Sequence, residues 1–181
     1  MTILKGENFS LMRFESRHLT QRYVGWLNNP VVAKYSELRH RVHSLDTCQA
    51  YLDSFPKNSG EIGSKFAHEF LAIVAHYPDL GHIGNISISV DRDNSVADLS
   101  ILIGERRARN KGFGLAAWNL LMDHLLATVG MRKATAGTMS VNIPMLRIME
   151  KSGMKSDGRR KNQFLIDGKT VDLVYAAKFR K

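Results

Sequence analysis

With 181 residues, 44% hydrophobic and 24% charged, the chain has the size and balance of one globular domain spanning 1–181, which excludes a disordered or disulfide-dependent class. One cysteine, Cys48, forbids an internal disulfide, no Cys/His group has zinc spacing, and no apolar run is long enough for a bilayer span or a secretory leader, so a metal-free cytoplasmic protein with no membrane partner is expected. The 26 Lys+Arg against 17 Asp+Glu leave +9, which either serves solubility alone or favours an anionic partner, nucleic acid or a nucleotide cofactor carrying several phosphates.

Phe9 to Phe14 reads as a short strand. Arg17 to Asn28 sets Leu19, Tyr23, Trp26 and Leu27 on one helical face, and Pro30 ends that helix. Ser44 is an N-cap for a second helix with Leu45, Cys48, Tyr51 and Leu52 inward. Pro56 to Ser64, PKNSGEIGS, mixes turn formers and charges and reads as flexible. Phe66 to Ala75 is a strand. Ile83 to Val90 alternates Ile86, Ile88 and Val90 with Asn85, Ser87 and Ser89, the period of a half-buried strand. Asp91 to Asn94 turns the chain into a third strand, Val96 to Ile103, so three antiparallel strands precede the main helix. That helix runs over Gly112 to Val129 with Leu115, Trp118, Met122, Leu125 and Leu126 toward the core. Lys133 to Met139 is a strand, Pro144 opens a helix that ends near Gly153, and Gln163–Ile166 with Val171–Lys178 form a hairpin about Asp167-Gly168. This order implies an α/β fold: one mixed, mostly antiparallel central sheet with helices on both faces.

The segment Ile101–Trp118, ILIGERRARNKGFGLAAW, runs from a buried strand through a basic turn into a helix that opens with two glycines. Glycine lets a backbone approach a ligand closely, and a helix N-terminus offers free N–H groups and a positive dipole end. Arg106, Arg107, Arg109 and Lys111 add positive charge. The turn is thus either a pyrophosphate cradle or a helix start behind a solvated basic turn. It is not a P-loop, because no Gly-Lys-Ser/Thr follows, and not the dinucleotide fingerprint, because the third glycine is absent.

Arg109-Asn-Lys-Gly112-Phe-Gly114 resembles the coenzyme A loop, Arg-x-x-Gly-x-Gly, of the GNAT superfamily of N-acetyltransferases. Asn142–Met154, NIPMLRIMEKSGM, resembles its second signature, and the spacing between the two also fits. Trp26-Leu-Asn-Asn-Pro30 and the closing FLIDGKTVDLVYA hairpin are similar to the branch of ribosomal-protein N-terminal acetyltransferases and nucleotide-amino-sugar acetyltransferases. The resemblance covers nearly the whole chain. It implies acetyl-CoA as co-substrate and a primary amine as acceptor; relatives often pair, so a homodimer stands beside a monomer as an open assembly. It also implies that the backbone of Arg109, Asn110, Lys111, Gly112, Phe113, Gly114 and Leu115 holds the pyrophosphate. Leu102 and Ile103 would pair with the pantetheine arm, in a gap splayed from Thr135–Met139, and Asn142 would bond to the arm or orient the site.

The sequence departs from the family at the acid–base positions. The usual Tyr is Met149, the Ser of the ribosomal-protein branch is Met145, and that branch's hairpin Glu falls on Gln163. Substitutes are His40, His43 and Glu37 in YSELRHRVHS, where relatives cover the acceptor, with Ser140 as a proton donor to the departing thiolate. Each is equally an ordinary surface or capping residue. Asp98 either faces the acceptor or is a satisfied polar residue on the open sheet face, and Arg159-Arg160-Lys161 steers a phosphate-bearing acceptor, contacts ribosomal RNA, or simply solvates an edge strand. The favoured acceptor is a small molecule such as an amino sugar. The alternatives are a ribosomal or other protein N-terminus, and a coenzyme A-binding domain without turnover. Nucleic acid is disfavoured, because no aromatics interleave the basic residues as single-strand stacking requires.

Overall fold

The computed structural model describes residues 2–54, 68–77 and 79–181. The stretch expected to be flexible, Pro56–Ser64, lies outside them. Eight strands form one sheet: β1 (Thr2–Lys5), β2 (Phe9–Arg13), β3 (His68–Ala75), β4 (His82–Asp91), β5 (Val96–Ile103), β6 (Lys133–Met139), β7 (Lys155–Ile166) and β8 (Lys169–Phe179). Their order is β1-β2-β3-β4-β5-β6-β8-β7, and every neighbouring pair is antiparallel except β5 with β6. The helices are α1 (Gln21–Leu27), α2 (Pro30–Ala33), α3 (Leu45–Asp53), α4 (Phe113–Asp123) and α5 (Ile143–Lys151).

Alternation along the strands divides the apolar residues between two cores. On β3, Leu71 and Ile73 join Ile86 and Ile88 of β4 under α4 and α5, while Phe70 and Ala72 face α1 and α3. Trp118, Leu121, Met122 and Leu125 are fully buried on the first side, each contributing about 1.5–3 kcal/mol of transfer free energy. The helices therefore do cover both faces. Caps fall where the sequence places them: Ser44 accepts from Thr47 N–H, and Asn142 accepts from Met145 N–H.

Several boundaries differ from the sequence expectation. The first helix is split into a 3-10 turn, Ser16–His18, and α1, because Thr20 is the true N-cap and accepts from Tyr23 N–H. Leu45 and Tyr51 point outward, being 37% and 51% exposed; of the α3 stripe, Cys48 is buried. Leu115 is only half-buried. The main helix ends in a π turn, His124–Thr128. The chain of β1 was not anticipated, and β7 begins at Lys155 rather than Gln163.

Trp26 of α1 lies against Gly104, at the end of β5. A Cβ there would sit 2.0 Å from Trp26 Cδ2. Gly104→Ala is therefore expected to lower stability by about 1–3 kcal/mol through overpacking, read as a reduced Tm in thermal denaturation.

The same aromatic cluster encloses His82. Phe14, His18, Tyr23 and Trp26 all have ring centroids within 6.0 Å of it, and its Nε2 lies 3.0 Å from the Gly84 carbonyl. Burial, and then the His18 charge, pull its pKa down to about 3. Burial lowers that of His18 as well. Both rings hold protons less tightly in the folded state than in the unfolded chain, which takes them up near pH 6.5. Stability is thus full above that value and is lost as pH falls from about 6.5 toward 3. Denaturant titrations at pH 7, 5 and 4 should show this decline, and His82→Phe should flatten it.

Candidate active site

The site is created by an incomplete ladder. β5 and β6 pair only from Val96–Asp98 to Lys133–Thr135. Beyond that point β5 stays with β4 as far as Ile103, and β6 stays with β8 as far as Met139. The two parallel strands therefore diverge into a V that opens toward the basic turn. Among the described residues, the β5 edge from Leu99 to Ile103 has no strand on the β6 side, which suits an amide-bearing arm added as a further strand.

At the mouth of the V, Asn110 has φ +59° and Gly112 φ +86°. Gly112 is the N-cap of α4 and no side chain caps the helix. The first ladder bond runs from Ala116 N–H to the Gly112 carbonyl, so the amides of Phe113, Gly114 and Leu115 precede the ladder and remain available for an anion. A Cβ on Gly112 would meet no atom within 4 Å, and one on Gly114 would meet Ile103 and Ile148 only at 3.4–3.5 Å. Among the described residues, the space beside Gly112 is open. These residues fit a pyrophosphate.

The basic side chains divide. Arg109 folds back, its Nε and Nη2 donating to the carbonyls of Ile103 and Gly104 at 3.2 and 3.0 Å. Arg107 is taken by Asp79 and Glu105. Among the described residues, Arg106 and Lys111 keep their charges unpaired. Asn142 spends its amide inside the protein, with Nδ2 donating to Thr138 Oγ1 at 2.9 Å while Oδ1 caps α5.

Asp98 stands at the vertex of the V, where the Thr135 hydroxyl donates to Oδ2 at 2.6 Å. Asp98 shares the open face with Ser100, on the side opposite buried Ala97 and Leu99. Its side chain still meets solvent, yet crowding by the surrounding strands raises the carboxyl above the ordinary value against the lowering effect of Thr135. Sequence alone favours a satisfied polar residue at Asp98 over a site residue, because its partner lies 37 positions away.

The other candidates sit apart from the vertex, on or beside the segment Glu37–His40. The His43 ring is 3.0 Å from the Leu38 carbonyl, and its backbone is bonded to the Asn28 side chain. Glu37 pairs with Arg39 at 2.9 Å and lies 3.7 Å from His40. Arg39 also donates to the Leu165 carbonyl at 3.5 Å, which ties this segment to the β7–β8 hairpin. Ser140, half-buried, donates its N–H to the Asp172 carbonyl. Met145 and Met149 are buried core residues. Among the described residues, no group of His, Cys, Asp and Glu could hold a metal, and no helix is long and apolar enough to cross a membrane.

A family model described as an acetyltransferase (GNAT) domain matches residues 9–155, and the chain belongs to that family. The protein is an N-acetyltransferase that uses acetyl-CoA. No curated protein matches the sequence. Among solved structures it is similar to a GNAT-family acetyltransferase from Bacillus anthracis (18% identity, 98% of each chain covered, TM-score 0.78). It is also similar to the ribosomal L7/L12 α-N-protein acetyltransferase RimL in complex with coenzyme A (12% identity, 99% and 98% covered, TM-score 0.84). A third is the spermidine N-acetyltransferase from Vibrio cholerae in complex with CoA and spermine (17% identity, 97% of each covered, TM-score 0.79). These likenesses establish the fold.

Proposed function

We propose that the protein acetylates a small-molecule primary amine, of the class that includes amino sugars, with Asp98 as proton acceptor. The observation that carries this reading is the end of the β5–β6 ladder at the Asp98–Thr135 pair, which opens a gap between a carboxylate and an amide-lined turn. Acetyl-CoA supplies the acetyl group as a thioester. The amides of Phe113, Gly114 and Leu115, in the turn formed by Arg109, Asn110, Lys111 and Gly112, hold the pyrophosphate, and the Lys111 and Arg106 charges reinforce them. The backbones of Leu102 and Ile103 align the pantetheine arm along β5, and Asn142 fixes the start of α5 beside it.

An aliphatic ammonium has a pKa near ~10, so it must lose a proton before it can attack. Asp98 is placed to take that proton, directly or through one water, and the raised carboxyl makes it a better base than an ordinary aspartate. Thr135 holds the carboxylate in place. Ser140, at the far end of β6, returns a proton to the thiolate. Glu37, His40 and His43 shape the acceptor side of the groove, since the His43 ring and the Glu37 carboxylate are occupied by Leu38 and Arg39. A small acceptor is favoured by Met145 and Gln163, which replace the Ser and Glu of the ribosomal-protein branch.

Thiolate release on mixing with acetyl-CoA and a panel of primary amines tests this. Turnover with a small amine is expected, and coenzyme A binding without turnover of any amine would instead support a non-catalytic domain.

A further inference from the structure

The open face of the sheet continues past Asp98. Register places Thr135 opposite Ala177, Gly137 opposite Tyr175 and Met139 opposite Leu173, and on the outer side Gly158 opposite Tyr175 and Arg160 opposite Leu173. Cross-strand partners share a face. Thr135, Gly137, Tyr175, Gly158 and Arg160 therefore extend the surface that carries Asp98. Gly137 is solvent-exposed, so the groove is open above it.

A glycine makes room for the tyrosine. A Cβ on Gly137 would sit 3.1 Å from Tyr175 Cε1, whereas one on Gly158 would only touch Cδ2 at an ordinary 4.0 Å. The ring thus lies close over the Gly137 backbone. The Arg160 guanidinium lies over this ring, 5.6 Å from its centroid. Arg22, Arg39, Arg107 and Arg159 each reach a carboxylate. Arg160 has no such partner among the described residues. A guanidinium stacked on an aromatic ring is ordered before any ligand arrives, and its planar fork accepts a carboxylate or phosphate through two parallel hydrogen bonds. Asp98 and Tyr175 stand two strand spacings apart, about 10 Å across the sheet. One end of the groove thus suits an ammonium and the other an anion.

We propose that Arg160, ordered on Tyr175, sets acceptor specificity by binding an acidic group, carboxylate or phosphate, carried by the amine substrate. This rests on the assignment of Asp98 as the amine-side base. It separates the protein's acceptor from polycations such as spermidine, which place a second positive charge where Arg160 stands.

The test uses the full chain with saturating acetyl-CoA and matched amines: phosphoethanolamine against ethanolamine, glucosamine 6-phosphate against glucosamine, γ-aminobutyrate against butylamine, and spermidine. The expected result is a kcat/KM at least about tenfold higher for one or more anionic members, the phosphate and carboxylate pairs showing which acid is read. Arg160→Gln, on an exposed edge strand, should remove that preference by raising KM for the anionic member about tenfold. Its kcat, its acetyl-CoA KM and its Tm should stay unchanged, and Arg160→Lys should restore part of the effect. Equal use of both members of every pair, or an equal loss for both in Arg160→Gln, overturns the proposal. If no amine turns over, the Asp98 assignment fails separately. Equilibrium binding of the same pairs to the coenzyme A-loaded protein then decides for Arg160: an anionic preference lost in Arg160→Gln supports it, and its absence overturns it.

Discussion

Gly112→Asp is expected to weaken coenzyme A binding at least about 100-fold, or about 2.7 kcal/mol, while the fold survives. On the proposed reading the turn would bind through main-chain donors, so side-chain deletions around it would be poor tests. Arg109 and Arg107 are already committed to protein partners. An aspartate at 112 instead sets a negative charge beside the amides of Phe113, Gly114 and Leu115. Like charges about 4 Å apart near a protein surface repel by about 4 kcal/mol, which exceeds the loss predicted. The cost to folding is smaller. A Cβ at 112 meets nothing, aspartate tolerates the left-handed φ of +86° better than most residues, and a carboxylate at a helix N-terminus returns about 0.3–1 kcal/mol. Calorimetric titration should show the affinity loss, with the melting temperature within about 4 °C of the parent. Unchanged affinity would remove the turn from the cofactor site.

Asp98→Asn is expected to lower kcat by about 10²–10⁴ with coenzyme A affinity unchanged. The replacement is isosteric and can still accept from Thr135, so a merely structural role would leave the rate nearly intact. The pH profile separates the cases further. In the parent protein, activity should fall as pH drops through the raised carboxyl value of Asp98, and that acid limb should vanish in the variant. Stability should move the other way. Because the folded protein holds the Asp98 proton more tightly than the unfolded chain does, the contribution of this group is present below the ordinary aspartate value and lost as pH rises through its folded value. The charged aspartate therefore works against folding at neutral pH. Asp98→Asn should raise Tm at pH 7 and leave it unchanged at pH 3. A variant that keeps its turnover would return the base to Glu37, His40 or His43.

The interior of the sheet was legible because its residues obey simple periods. β5 and β6 fall at Val96–Ile103 and Lys133–Met139 in sequence and structure alike, each alternating a buried and an open side. β7 was cut short because KSDGRRKNQ is exposed along its length; an edge ribbon held by main-chain bonds leaves no apolar alternation to read. Leu45 fits a helical stripe yet stays 37% exposed, and Tyr51 sets its ring edge-on against Phe70 while remaining 51% exposed. The conformation of the glycine turn was readable because a left-handed φ of +86° at position 112 calls for glycine. The chemistry of the open face was not. Asp98 gains its meaning from Thr135, and Arg160 from Tyr175 lying over Gly137 on a neighbouring strand, and such pairings exist only once register is known.

The account stands on the amides at the start of α4. Titration of ¹⁵N-labelled protein with coenzyme A, followed by backbone amide shifts, tests this most directly. The largest saturable changes are expected at Gly112, Phe113, Gly114 and Leu115, with smaller ones along Leu99–Ile103. Saturable binding that leaves those four amides unmoved, or no binding at millimolar coenzyme A, would contradict it.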